Sequence, residues 1–321
     1  MVDLSRIVKP NPSAIQAAAD IIKSGGLVSF ATETVYGLGA NAFDPDACQK
    51  VYSVKGRPSD NPLIVHIAQD FDLTTIATNI PPAARILMDN FWPGPITFVL
   101  PAVPNIFTHG HAGTIAVRMP NHPVAQALLN EAGVPIAAPS ANLSGRPSPT
   151  TAQHVFDDLQ DKVDIILDGG ACVHGLESTV IDFSESSVRI LRPGSITLQM
   201  IESVIGKIDE SPANDAIIPK SPGTKYTHYA PKGKMTLIIG DAAPQKTKEL
   251  FEASTAKNPA YLNPMLGKTI EEAAANLFCA LRLCDKNQND EIFAHGFDEE
   301  GLGAAIMNRM KKAAGNNIIY I

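Results

Sequence analysis

Short apolar runs and amphipathic helical stretches alternate along almost the whole chain, a pattern that neither a helical bundle nor an all-β array can accommodate. From Ser13, SAIQAAADIIKSGG has a cap residue, apolar positions at helical spacing (Ile15, Ala18, Ala19, Ile22) and a Gly25-Gly26 stop, so a helix is predicted there. LVSFATET follows as a strand. NPLIVHI, ITFVLPA, GTIAVRMP and VPIAAPSAN read as further strands, with PPAARILMDNF, HPVAQALLNEAG and TTAQHVFDDL as helices. VDIILDGG, STVIDFS and SVRILRPG are three closely spaced strands. Their short connections imply antiparallel pairing, and hence a mixed sheet.

The alternation breaks after SITLQMIESVIG. Residues 207–234 carry four prolines and no sustained periodicity, the composition of a linker. From Met235 the pattern resumes with MTLIIG as a strand, a helix near PQKTKELFEA, and then TIEEAAANLFCALRLCD. That last helix opens on a capping box, Thr269 and Glu272, and keeps Ile270, Ala273, Leu277, Ala280, Leu281 and Cys284 on one stripe. EIFAHGF, GLGAAIMNRMKKAAG and NIIYI complete a βαβ-type unit. A length of 321 residues suits two domains. The expected division is an α/β domain over 1–206, a Pro-rich linker over 207–234 and a small C-terminal α/β domain over 235–321.

A net charge of -7 argues against binding nucleic acid through a basic face, although it leaves room for a local basic pocket. MVDLSRIVKPNPS has no apolar signal core and no apolar run approaches roughly 18 residues, so the cytoplasm is the expected compartment. Cys48, Cys172, Cys279 and Cys284 are too scattered for a disulfide framework and read mostly as buried thiols. The eight histidines form no metal set; His109 and His111 have no carboxylate or cysteine at ligand spacing, so no protein-bound metal is expected.

Three segments each deliver a strand end into a loop of small, polar or basic residues, the place where α/β sheets bind ligands. FATETVYGLGAN offers Thr32, Glu33, Thr34 and Tyr36. SVKGRPSDNPLIVHI offers Lys55, Arg57, Ser59 and Asn61. APSANLSGRPSPT offers Ser140, Asn142, Ser144, Arg146 and Ser148. Gly37-x-Gly39 lacks the third glycine of a dinucleotide fingerprint and reads equally as a glycine turn. Lys55 and Arg57 alternate about Gly56, and on an extended backbone they share one side, which suits a polyphosphate; a solvated basic turn fits the same residues. Ser140 and Asn142 precede a helix whose cap lies near Thr150 or Thr151, which makes either an anion cradle or ordinary turn chemistry. Arg118 shares a strand face with Thr114, and reads either as a surface arginine on an edge strand or as an inward charge that needs a carboxylate. His66 lies inside LIVHI, where a satisfied core histidine is the ordinary reading, but it follows the basic loop closely and is a pocket candidate. Ser178 and Thr179 enter a strand after a flexible loop, and Arg192 ends another.

With TETVYGLG, KGRPSDNPLIVHI, GTIAVRMP, APSANLSGRPSPT, GLESTVIDF, ILRPGSI and SPGTKYTHYAP in one order, the chain resembles the YrdC-type threonylcarbamoyl-AMP synthase family, in its long form with an extra C-terminal domain. The resemblance implies a twisted mixed sheet with helices around a concave cavity, and a Rossmann-like second domain. It also implies a nucleotidyltransferase that joins L-threonine, bicarbonate or CO2, and ATP into threonylcarbamoyl-AMP, releases pyrophosphate and serves tRNA threonylcarbamoyladenosine formation. By this matching Lys55, Arg57, Ser140 and Asn142 are catalytic. Thr34, His66, Arg118, Ala138 and Ser178 hold threonine, and Arg57, Asn61, Thr114, Ser140, Ser148, Arg192 and Tyr229 hold ATP. Tyr226, His228 and Tyr229 match a linker motif that folds back over the pocket, with Thr224 where methionine is expected. Magnesium enters with ATP rather than in a protein cage, and the partners are small molecules and the tRNA threonylcarbamoyl-transfer machinery, with neither membrane nor stable nucleic-acid complex required. Two competing readings are a non-catalytic RNA-binding module using the same cationic cavity and a hydrogenase-maturation carbamoyltransferase. The second would need zinc-finger cysteines that this chain lacks.

Overall fold

A computed structural model describes residues 6–104, 113–185, 187–209 and 228–321. Within these, the N-terminal part carries strands β1 (Ile7–Val8), β2 (Val28–Phe30), β3 (Gly37–Asn41), β4 (Ile64–His66), β5 (Ile96–Pro101), β6 (Thr114–Arg118), β7 (Ile136–Ala137), β8 (Ile165–Leu167), β9 (Thr179–Asp182) and β10 (Arg189–Arg192). Its helices are α1 (Pro12–Lys23), α2 (Pro45–Lys55), α3 (Pro82–Phe91), α4 (Pro123–Ala132), α5 (Ala152–Leu159) and α6 (Leu198–Ile205). The strands form one sheet in the order β1-β8-β2-β3-β7-β4-β6-β5-β9-β10. It is mixed as expected: β4 and β6 run parallel, while β7 lies antiparallel to both β3 and β4.

The three late strands behave differently from their spacing. β9 and β10 pair antiparallel, but β8 pairs parallel with β1 and β2, and the intervening residues carry the chain across the sheet. Side chains alternate between two cores, as a pleated strand requires: Ile136 and Ala138 join α1 and α4 on one face, and Ala137 enters the larger cluster on the other. The cap of α1 is Asn11 rather than Ser13; the Asn11 side chain accepts from the Ala14 amide at 2.9 Å, and Pro12 takes the first helical position.

The second sheet is parallel throughout. Strands β11 (Lys234–Ile239), β12 (Pro259–Tyr261), β13 (Glu291–His295) and β14 (Ile318–Tyr320) take the order β12-β13-β11-β14. Helices α7 (Ala243–Glu252), α8 (Ile270–Lys286) and α9 (Leu302–Ala314) cross between them. The capping box of α8 is present in both directions, and its stripe is buried except at the half-buried Ile270. β12 has no counterpart in the sequence reading, because Pro-Ala-Tyr is too short to show a period. Val35 and Leu176 of the first unit, together with Tyr229, pack in the second unit's apolar cluster. No helix among the described residues is long and apolar enough to cross a membrane. Cys48, Cys172 and Cys284 are buried, whereas Cys279 is exposed.

Candidate active site

Two loops that the sequence places far apart meet because α2 is a helix, not extended chain. Asp44 caps it, Ala47, Cys48, Val51 and Tyr52 form its buried stripe, and Lys55 is its last residue. Gly56 then adopts the left-handed conformation, φ 60°, and turns the chain so that Arg57 follows Lys55 into the interior. The extended alternation expected for Lys55-Gly56-Arg57 is therefore wrong, although its consequence, two cations on one side, is realised by the helix cap.

Lys55 is buried, and its Nζ donates to the carbonyls of Ser140 and Asn142, with a longer contact of 3.5 Å to Asn142 Oδ1. Arg57 donates from Nε to the Asn61 carbonyl at 3.0 Å and from Nη2 to Asn61 Oδ1 at 2.7 Å and the Pro62 carbonyl at 2.9 Å. Ser140 Oγ donates to Asn142 Oδ1 at 2.5 Å, and Asn142 Nδ2 donates to the carbonyls of Leu143 and Arg146. Burial, and then the neighbouring Arg57, drive Lys55 well below its ordinary value. Burial lowers Arg57 to about 10.

On the opposite wall, Arg118 ends β6 with its Nη2 2.7 Å from Glu33 Oε1, both side chains buried, and its Nη1 donates to Thr34 Oγ1 at 2.8 Å. The inward arginine thus has the carboxylate its position demands. Burial alone would raise the Glu33 carboxyl, but the Arg118 charge outweighs it and holds the group below its usual value. His66 lies beside Arg118 in register, with Nδ1 3.2 Å from the Ile64 carbonyl, and burial together with Arg118 pushes it down to about 3. Arg192 donates to the Ser178 carbonyl and hydroxyl, each at 3.1 Å, and Ser178 Oγ also meets Thr97 Oγ1 at 2.8 Å.

These walls enclose one cavity of about 670 Å³ including its mouth. Lys55, Arg57, Thr34, His66, Arg118, Ala138, Ser140, Asn142, Ser148, Ser178, Arg192 and Tyr229 all line it, as does His228. Asn61 and Thr114 do not. Asn61 is buried behind Arg57 as its acceptor. Thr114 opens β6, about 13 Å from Arg118 along the strand, because residues that share a face at i and i+4 still lie at its two ends. Tyr226 lies outside the described residues. Tyr229 has φ 64°, and its ring stacks on Phe278 of α8 with centroids 5.1 Å apart.

Glu177 is a lining residue that the sequence reading passed over. Its Oε1 accepts from Ser148 Oγ at 2.5 Å, and its Oε2 accepts from Arg309 of α9 at 3.1 Å. The segment 174–178, expected to be a flexible loop, is held instead: Leu176 is fully buried and Glu177 nearly so. A usable signal was the arginine on the apolar stripe of α9, Ile306, Arg309, Met310 and Ala313, which has to meet an acceptor somewhere. Gly37 and Gly39 lie within β3, so neither reading of that pair as a turn or phosphate loop holds. Among the described lining residues Glu177 is the one carboxylate beside Lys55, Arg57, Arg118 and Arg192, and with Glu33 pairing Arg118 from behind, basic groups still outnumber acidic ones, an imbalance that an anionic ligand would relieve. Among the described residues no group of three or more His, Cys, Asp and Glu could hold a metal ion.

Comparison with known proteins agrees with this architecture. A family model described as Telomere recombination, covering the Sua5, YciO and YrdC proteins, matches residues 20–194, and one described as Threonylcarbamoyl-AMP synthase, C-terminal domain matches residues 196–315. The chain is 46% identical over 326 residues to a threonylcarbamoyl-AMP synthase of Pyrococcus abyssi, covering 96% of each chain. To that of Bacillus subtilis it is 43% identical over 340 residues, covering 99% of this chain and 98% of the relative. The crystal structure of P. abyssi Sua5 complexed with L-threonine superimposes with a TM-score of 0.90 at 43% identity, covering 98% of both chains. The chain therefore belongs to the threonylcarbamoyl-AMP synthase family, in the long form that carries a C-terminal domain.

Proposed function

We propose that this chain is a cytoplasmic L-threonylcarbamoyladenylate synthase, a nucleotidyltransferase that condenses L-threonine, bicarbonate or CO2, and ATP, releases pyrophosphate and supplies tRNA threonylcarbamoyladenosine formation. The observation that carries the reading is the set of four buried basic side chains, Lys55, Arg57, Arg118 and Arg192, lining one cavity with His66. The neutral threonine amine captures the one-carbon unit, and a carbamate oxygen then attacks the α-phosphate as pyrophosphate leaves. Negative charge develops on phosphate oxygens, so fixed cations in a water-poor site lower the barrier without any covalent nucleophile.

In this reading Arg118 takes the threonine carboxylate while Glu33 holds its other edge, and Thr34, His66, Ala138 and Ser178 complete the amino-acid subsite. Arg57, Ser140, Ser148, Arg192 and Tyr229 face ATP, with Asn61 orienting Arg57. Lys55 acts mainly through its field and by shaping the Ser140–Asn142 loop, since its ammonium protons are directed at that loop. Thr114 receives no role. Magnesium arrives with ATP, held by phosphates and water, which suits a chain whose described residues offer no carboxylate cage. The stretch 207–234 joins a catalytic domain, 1–206, to a smaller one, 235–321, and its His228 and Tyr229 line the cavity, where they help keep water from a hydrolysable mixed anhydride.

Pyrophosphate release from ATP tests this directly. Release should require threonine and bicarbonate together, and release indifferent to either one overturns the assignment.

A further inference from the structure

The contact between the two units is organised around two buried arginines, and both grip the cavity wall from behind. Arg309 on α9 has no exposed surface. Its Nε donates to Glu177 Oε2 at 3.1 Å, its Nη2 to the Glu177 carbonyl at 3.3 Å and its Nη1 to the Pro193 carbonyl. Glu177 and Pro193 directly neighbour Ser178 and Arg192, the pair bonded to each other across the cavity wall. Arg282 on α8 donates to the Pro147 carbonyl at 2.6 Å and to the Ser148 carbonyl at 3.4 Å, and pairs with Asp158 at 2.7 Å. The Ser148–Glu177 hydrogen bond is thus held at one end by Arg282 and at the other by Arg309.

Between them the first unit lies directly on α8. Gly175 has φ 66°, and a Cβ there would meet the Ala275 backbone at 2.3 to 2.6 Å. A buried ion pair is weak evidence for stability, because apolar residues of similar size often serve as well. Arg309 sits amid an apolar stripe where such a residue would pack, yet its charge is directed at two segments whose spacing sets the site.

We infer that Arg309, supported by Arg282, is a positioning residue for the nucleotide half of the site. It sets the separation of Ser178 and Arg192 and the place of Ser148, so ATP binding depends on how the second unit is docked. Neither arginine lines the cavity; both act through Glu177, Ser148, Ser178 and Arg192. The inference rests on the proposed adenylate-forming reading.

The test uses the full chain. Arg309→Lys keeps the charge but not the three-way fork, and Arg309→Met removes both. Both should raise KM for ATP by about tenfold or more, Met above Lys, with a smaller change in KM for threonine and a retained folded spectrum. An unchanged KM for ATP with only a lower melting temperature would make the contact structural and overturn the inference. Should both variants fail to fold, the wild-type protein decides: ATP must slow hydrogen exchange across residues 302–314, by reciprocity of coupled sites, and unchanged exchange overturns it. If wild-type pyrophosphate release ignores threonine and bicarbonate, the proposed reaction fails instead, while the exchange measurement still tests the arginine link.

Discussion

Lys55 and Arg57 are two residues apart and use the same charge differently. Lys55 closes a gap between helix α2 and the Ser140–Asn142 loop, whereas Arg57 folds back on its own loop through Asn61 and Pro62. Lys55→Met should leave two carbonyls without their donor, costing about 1–3 kcal/mol of stability, and reduce turnover about a hundredfold or more. Thermal melts read alongside pyrophosphate release check both effects. His66 makes a separate demand on pH. Its folded value is about 3, below the ordinary 6.5, so between those limits the unfolded chain binds a proton that the folded chain excludes. Stability should therefore fall as pH drops through that window, by up to ~1.4 kcal/mol per pH unit from this group. Urea unfolding from pH 7 to 4 should show a shallower loss in His66→Gln; an unchanged slope would remove His66 from the account. Arg118 was half legible, since an arginine on a strand is either an exposed edge residue or an inward charge that requires a carboxylate, and nothing in TETVYG by itself marks Glu33 as that partner.

Long periodic elements were readable and short or weakly patterned ones were not. α8 shows its start and its buried stripe in the sequence, because seventeen residues repeat one contrast many times. α2 hides because its stripe is Ala47, Cys48, Val51 and Tyr52 and then ends on a lysine, so its apolar contrast is weak. β3 hides because Gly37 and Gly39 suggest a turn, although Gly39 is required for packing: a Cβ there would lie 2.6 Å from Ile136. The C-terminal cap of α2 is where element and site join. Gly56→Ala meets no neighbour but must hold a left-handed backbone, at about 1–2 kcal/mol, and it tilts Lys55 against Arg57. Chemical denaturation should show that loss together with reduced turnover; wild-type turnover would mean that the cap does not set the two cations.

At the scale of the whole molecule the second unit is joined to the first by charge as well as by apolar packing. Asp158, fully buried, binds Arg282 at 2.7 Å and Arg146 at 2.8 Å, and Arg146 reaches Asp285 at 3.4 Å. Asp158→Asn would strand a buried arginine, with an expected cost of about 3–5 kcal/mol in equilibrium unfolding, whereas exposed Lys248→Ala should cost nothing measurable. The sequence by itself determined the alternating α/β architecture, the mixed character of the first sheet and most of the polar residues that line the cavity. Each is written in local spacing, because backbone period and loop chemistry are short-range properties. Only the tertiary structure decided that β8 crosses to β1 and β2, that Asn61 stands behind Arg57, that Thr114 is left at the far end of its strand, and that Glu177 is shared between the cavity and Arg309. Those outcomes depend on which distant segments meet, and a buried charge takes its meaning from the partner it finds there.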